Sequence, residues 1–250
     1  MTPLLRAELT RITRRRGSFF GAIGITAAIT VIAVIVILVN DPRGGESSFR
    51  DITSVGQYVG VFAAIVVGAL AGSYDTANGT MRYLVLTGVP RWQLTLIRVP
   101  ALMIALCALV VLPILLGLVV GATIGTDGGS AMSAKETLND VWSCFAAVWI
   151  WGVVSLAVGT LMRSNGPAIA VGIVLFVAGS LITGLIGSEV SKEVANVLLP
   201  RPAGTVISLD DTSDFLDDDH VSIAGSFVLL GAWLAALLGL AVWRVRRDEY

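Results

Sequence analysis

Few residues in this 250-residue chain have the types and spacing that bond-making chemistry needs. The two lysines, Lys135 and Lys192, follow Ala134 and Ser191. No Gly-Lys pair therefore exists, and a Walker A loop, whose lysine must reach the nucleotide phosphates, is excluded. His220 stands alone, and Cys107 and Cys144 fall in separate apolar segments near opposite membrane faces. That leaves neither a metal-ligand cluster nor a disulfide, whose Cα atoms must come within about 7 Å. The densest acids are Asp210, Asp211, Asp214, Asp217, Asp218 and Asp219. A calcium loop would alternate its acids around a central glycine, so a solvated acidic loop is the preferred reading over a calcium site. No metal and no cofactor is expected on this chain. What remains is a polar and basic island, residues 73–98, between two long apolar segments.

Those segments set the class of protein. Hydrophobic residues make up 55% of the chain and charged residues 14%, with a mean hydropathy of +0.84. Such a composition belongs to a polytopic membrane protein, here an all-α fold forming one domain over residues 1–250. A helix needs about 20 apolar residues to cross roughly 30 Å of hydrocarbon. Six segments qualify: 18–39, 55–72, 99–124, 141–162, 167–186 and 221–243, none containing Asp, Glu, Lys or Arg. Pro113 predicts a kink in the third. The first resembles a signal peptide because Arg14, Arg15 and Arg16 precede it. Its uncharged run, however, exceeds a secretory core of about 7–15 residues, and no cleavage site follows. It reads as an anchor. A twin-arginine signal fits poorly, because the phenylalanines come one position late.

Lys and Arg are retained in cytoplasmic loops. With the N-terminus inside, 12 basic residues are cytosolic and 5 are outside. Both termini are thus expected in the cytosol, and the plasma membrane is the expected location. The net charge of −1 conceals this segregation and points to no nucleic-acid partner.

Before the first span, Leu4, Leu5, Leu9 and Ile12 recur at helical spacing while Arg6, Arg11, Arg14 and Arg15 fall largely on other faces. With Arg16 they predict an amphipathic helix in residues 1–17, lying in the headgroup layer with its apolar side down, in preference to a disordered basic tail. Arg163-Ser-Asn-Gly-Pro167 predicts a tight hairpin, with Asn165-Gly166 supplying the positive backbone angles. Small residues recur every four positions: Gly68 and Gly72; Gly117, Gly121 and Gly125; Ser180 and Gly184; Gly231, Ala235 and Gly239. Such rows pack helices within one bundle or form a dimer seam. In the outer segment, 187–220, a short helix is expected over 189–199, ending before Pro200.

In the island, the chain emerges at Ser73-Tyr74-Asp75. Asn78-Gly79-Thr80 makes a break where Asn78 or Thr80 can cap a new helix. A surface helix is expected over 81–87, then a segment from Arg91 to Arg98 that feeds the third span. The pattern Gly72-Ser-x-Asp-x-x-x-Gly-Thr-x-Arg-x-Leu84, followed by Arg91 and Arg98, resembles the inner loop of ABC-2-type permeases, the membrane subunits of ATP-binding-cassette exporters. The amphipathic elbow helix, six spans and long outer segment extend the resemblance over the whole chain. Asp75 stands where that family often has Glu, and Arg98 where Lys is common.

The resemblance implies that the island is a coupling helix fitting a groove in a partner ATPase, with Tyr74, Asp75, Asn78, Gly79, Thr80, Arg82, Tyr83 and Leu84 as contacts. It further implies two cytosolic ATPase subunits that hold ATP and Mg, a second permease subunit, identical or homologous, and a hydrophobic or amphipathic cargo moved through the lipid bilayer. Read without it, Arg82, Arg91 and Arg98 fit a loop that only sets topology. A non-transporting scaffold or sensor subunit is the alternative function. An enzyme would need a catalytic cluster that the sequence lacks.

Overall fold

Apolar segments in lipid must satisfy every backbone N–H and C=O internally, which leaves the helix as the way across for a chain patterned like this one. The computed structural model describes residues 3–39, 44–79, 90–124, 133–189, 192–209 and 222–247. Among them every regular element is an α-helix. In chain order these are α1 (Pro3–Thr13), α2 (Arg16–Val39), α3 (Gly45–Ala77), α4 (Arg91–Leu96), α5 (Arg98–Ile124), α6 (Ala134–Met162), α7 (Asn165–Glu189), α8 (Lys192–Val197), α9 (Pro200–Ser208) and α10 (Ile223–Arg247). Six helical stretches are long and apolar enough to cross a membrane, and the chain is a multi-pass membrane protein.

The helices outrun the apolar segments that announce them. At 33 residues, α3 is about 50 Å long, and it begins ten residues ahead of 55 and continues past 72. Hydropathy reports where a helix meets lipid, whereas the polar ends of α3 and α6 are stabilised by each other. Pro113 lies inside α5, with its ring against Gly56.

The core is a parallel pair. In its apolar stretch α6 has 83% of residues buried, against 11% in α7 and α10, so α6 is the central helix. Its main neighbour is α3, and the two ascend together: Arg50 faces Asp140, Thr53 faces Cys144, Gln57 faces Ser143 and Gly60 faces Val148. Further along, Gly68 lies on the Gly152 carbonyl, and Gly72 on the backbone of Leu156 and Gly159. A Cβ at Gly68 or Gly72 would collide with main-chain atoms, so glycine sets how closely the backbones approach. Gly152 and Gly159, outside the predicted rows, complete this contact. Gly117 packs on Phe49, but a Cβ at Gly184, Gly231 or Gly239 would meet nothing within 4 Å among the described residues. The predicted rows therefore divide into packed and outward-facing ones.

Two connections differ from expectation. At the α6–α7 hairpin the left-handed residue is Arg163 (φ 58°), not Asn165 or Gly166, which already belong to α7. The Arg163 N–H closes the end of α6 on the Gly159 carbonyl at 3.1 Å. In the segment 187–220, expected on the outer side, a second helix, α9, starts at Pro200 where none was expected. Proline at the first helical position gives up an N–H that has no partner there anyway. α9 is held by Trp142 Nε1, which donates to the Val206 carbonyl at 2.9 Å, and by Asn139 Nδ2, which donates to that of Ser208 at 2.9 Å. Trp233 Nε1 likewise donates to the Val197 carbonyl of α8 at 2.8 Å. The predicted 81–87 helix and the acids from 210 to 219 lie outside the described residues.

Candidate functional site

One end of the bundle gathers the arginines. α1 predicts as amphipathic, yet Glu8 interrupts its apolar stripe, one turn from both Leu4 and Ile12. In the structure this side of α1 packs on protein rather than on lipid, with Ile12 buried and Leu5 and Leu9 against the core. Docking there buries Glu8, and a buried carboxylate needs cationic partners.

The partners come from α1, α3 and α5. Arg11 Nη1 donates to Glu8 Oε1 at 3.0 Å, and Arg11 Nη2 to Asp75 Oδ1 at 2.8 Å. Arg98 Nη2 donates to the second Asp75 oxygen, Oδ2, and Arg98 Nη1 to the Ala71 carbonyl at 3.3 Å. Arg98 Nε lies 3.9 Å from Glu8 Oε2. Asp75 and Arg98 are 1% and 2% exposed, so two acids and two arginines form a closed ionic node at the root of the connection from α3 to α4. Beside it, Arg15 Nη1 donates to the Leu70 carbonyl at 2.8 Å, and its guanidinium stacks 3.7 Å above the Tyr74 ring. Burial lowers the pKa of the Arg15 guanidinium from its ordinary value, and Asp75 opposes that shift. Ser73 Oγ donates to Asn165 Oδ1 at 2.7 Å, which ties the same root to the start of α7.

The predicted site residues therefore separate. Asp75, expected to face a partner, has its carboxylate committed inside the bundle. The helix simply continues five residues past Gly72, because Arg11 and Arg98 neutralise the charge that ends the apolar run. Tyr74 is part-exposed beneath Arg15, and Asn78 and Gly79 are exposed. Asn78 closes the end of α3 instead of starting a new helix: its N–H and its Nδ2 both reach the Tyr74 carbonyl, at 3.0 and 2.8 Å. Gly79 follows with φ 68°, a left-handed angle natural to glycine after a helix end. Thr80, Arg82, Tyr83 and Leu84 lie outside the described residues. Of the elbow residues, Arg11 and Arg15 are engaged, Arg6 and Arg14 are exposed, and Arg16 opens α2.

Sequence reasoning missed Glu8 and the role of Arg98. For Glu8 a signal existed, an acid set in an apolar stripe among arginines. The opposite end carries a second polar group, also missed: Arg50 Nε lies 3.8 Å from Asp140 Oδ1, and Ser143 Oγ donates to Gln57 Oε1 at 3.1 Å. With Asn139 and Ser208 these residues line a cavity of about 160 Å³.

The basic node offers mechanical linkage. Asp75 accepts from both arginines, whereas Arg98 Nε, 3.9 Å from Glu8 Oε2, has no hydrogen-bond partner among the described residues, and the network ties α1, α3 and α5 to one another. No curated protein matches the chain. A family model described as "Protein of unknown function (DUF2705)" matches residues 19–249, which takes in all six spans and leaves out α1. The chain belongs to that family.

Proposed function

We propose that this protein is the membrane-spanning permease subunit of an ATP-driven exporter of the ABC-2 type, moving a hydrophobic or amphipathic cargo out of the cell. The basic end faces the cytosol, and the cell's plasma membrane is the site of action. The observation that carries this reading is the ionic node of Glu8, Arg11, Asp75 and Arg98, which joins the root of the 80–89 connection to α1, α3 and α5 at once. A force applied to that connection by closing ATPases enters through the end of α3 and through α4, and the node distributes it. Buried ion pairs suit this task because they hold a single geometry and resist shear more than a slippery apolar contact does. The bundle then switches between two states as rigid bodies, driven by contacts that differ between them. The exposed candidates for contact are Tyr74, Asn78 and Gly79, and the resemblance adds Thr80, Arg82, Tyr83 and Leu84, which lie outside the described residues. Asp75 braces the contact surface from within.

The test is purification from native membranes of the tagged full chain, with the associated subunit identified by its Gly-x-x-x-x-Gly-Lys-Ser/Thr loop and by ATP hydrolysis. Arg82→Glu combined with Tyr83→Ala should remove that subunit while leaving insertion and thermal stability of the permease unchanged. Undiminished association and hydrolysis in the variant would defeat the reading.

A further inference from the structure

An apolar groove of about 460 Å³ runs between α2 and α3 from the basic end into the hydrocarbon. Gly17, Gly21, Ile25 and Ile29 form one wall, and Phe62 and Val66 stand on the other. A Cβ at Gly17 or Gly21 would meet nothing within 4 Å among the described residues, so the groove is open at both positions.

Two observations identify the occupant. The first is length. Gly17 to Ile29 covers about 18 Å of helix at 1.5 Å per residue, close to the roughly 15 Å depth of one leaflet and well short of the 30 Å that a spanning helix of a second copy would fill. The second is charge. Arg14 stands exposed three residues ahead of Gly17, which lines the basic end of the groove. Its neighbour Arg15 is withdrawn onto Leu70 and Tyr74, which continue the α3 wall beyond Val66. A cation at the polar end of a leaflet-deep apolar slot complements an amphiphile with an anionic head.

We propose that this groove binds one acyl chain of an anionic phospholipid, with its phosphate on the Arg14 guanidinium. A uniform lipid coat needs no such slot, since flat helix faces are covered by any tail. Here the missing side chains at Gly17 and Gly21 let a tail lie between the helices, and Arg14 selects the head. The inference is independent of the exporter reading and would hold for a protein that transports nothing.

Native mass spectrometry of the full-length protein, purified with equal phosphatidylglycerol and phosphatidylcholine, tests it. The wild type should retain phosphatidylglycerol preferentially. Arg14→Gln should lower that preference roughly fivefold, as expected for removing one basic residue near the headgroup layer. Gly21→Leu should abolish retention of both lipids with the melting temperature unchanged, and Ile25→Trp supplies a second way to fill the slot. Glycerol phosphate, a head without a tail, should not displace the lipid. The proposal is overturned by equal retention of the two lipids in the wild type, by unaltered retention in both filling variants, or by displacement with glycerol phosphate. A disulfide between copies of Gly21→Cys in native membranes would also overturn it, because a second copy would then occupy the groove.

Discussion

The Asp75 carboxylate and the Arg98 guanidinium meet across the root of the connection between the second and third spans, 23 residues apart in the chain and both almost fully withdrawn from solvent. Neither could be buried alone, since the desolvation of an isolated charge amounts to several kcal/mol. Asp75→Asn or Arg98→Gln should each destabilise the protein by about 3–5 kcal/mol, because each leaves a charge without its counterpart. The double variant should recover part of that loss. Thermal unfolding of all four proteins in one detergent gives the coupling; strictly additive effects would show that the two groups do not act on each other.

Arg15 reaches the Leu70 carbonyl and the Tyr74 ring together, which fastens the start of α2 to the end of α3. Arg15→Gln should cost about 1–2 kcal/mol through the lost bond and stack. Arg15→Lys should recover only a fraction, because the ammonium keeps the charge but lacks the planar fork. Melting temperatures that rank Lys equal to Arg would argue against the stacked geometry.

The glycines of the α3–α6 contact should behave unlike those on the periphery. Gly68→Val forces a side chain into the Gly152 carbonyl and should destabilise by at least the roughly 1–3 kcal/mol of overpacking. Gly231→Ala meets open space and should stay within about 0.5 kcal/mol of wild type. Unfolding in a common detergent separates the two cases.

Trp142→Phe keeps the aromatic bulk and removes the hydrogen bond to Val206, which should loosen α9 by about 1 kcal/mol. Hydrogen exchange should quicken at residues 200–208 and leave the α3–α6 pair unchanged. Uniform quickening would mean that α9 is not a separately held unit.

How far the sequence spoke differs by element. The six spans are legible because freedom from charge over about 20 residues has a single physical use. Their ends are not: Arg50 and Asp140 read as loop residues, and only the partner helix makes them helical. Asp75 illustrates the same limit at the other end. A carboxylate after Gly72 looks like the exit from the membrane, and nothing nearby in the chain reveals that Arg11 and Arg98 will close on it. Pro200 was only half legible: the helix before it stops at Val197, as expected, but the same proline also starts a further helix that was not foreseen. Glycine spacing told where close approach was available but not where it was used: Gly68 and Gly72 are engaged, while Gly231 and Gly239 are not.

The rung-by-rung match of α3 and α6 makes the pair a keel. Adding one residue midway along either helix would turn everything beyond it by about 100° and put bulky side chains where Gly68 and Gly72 now lie. Changes in chain length are therefore confined to the connections and to the outlying helices, and any reshaping of this protein must swing around a spine that cannot itself slide.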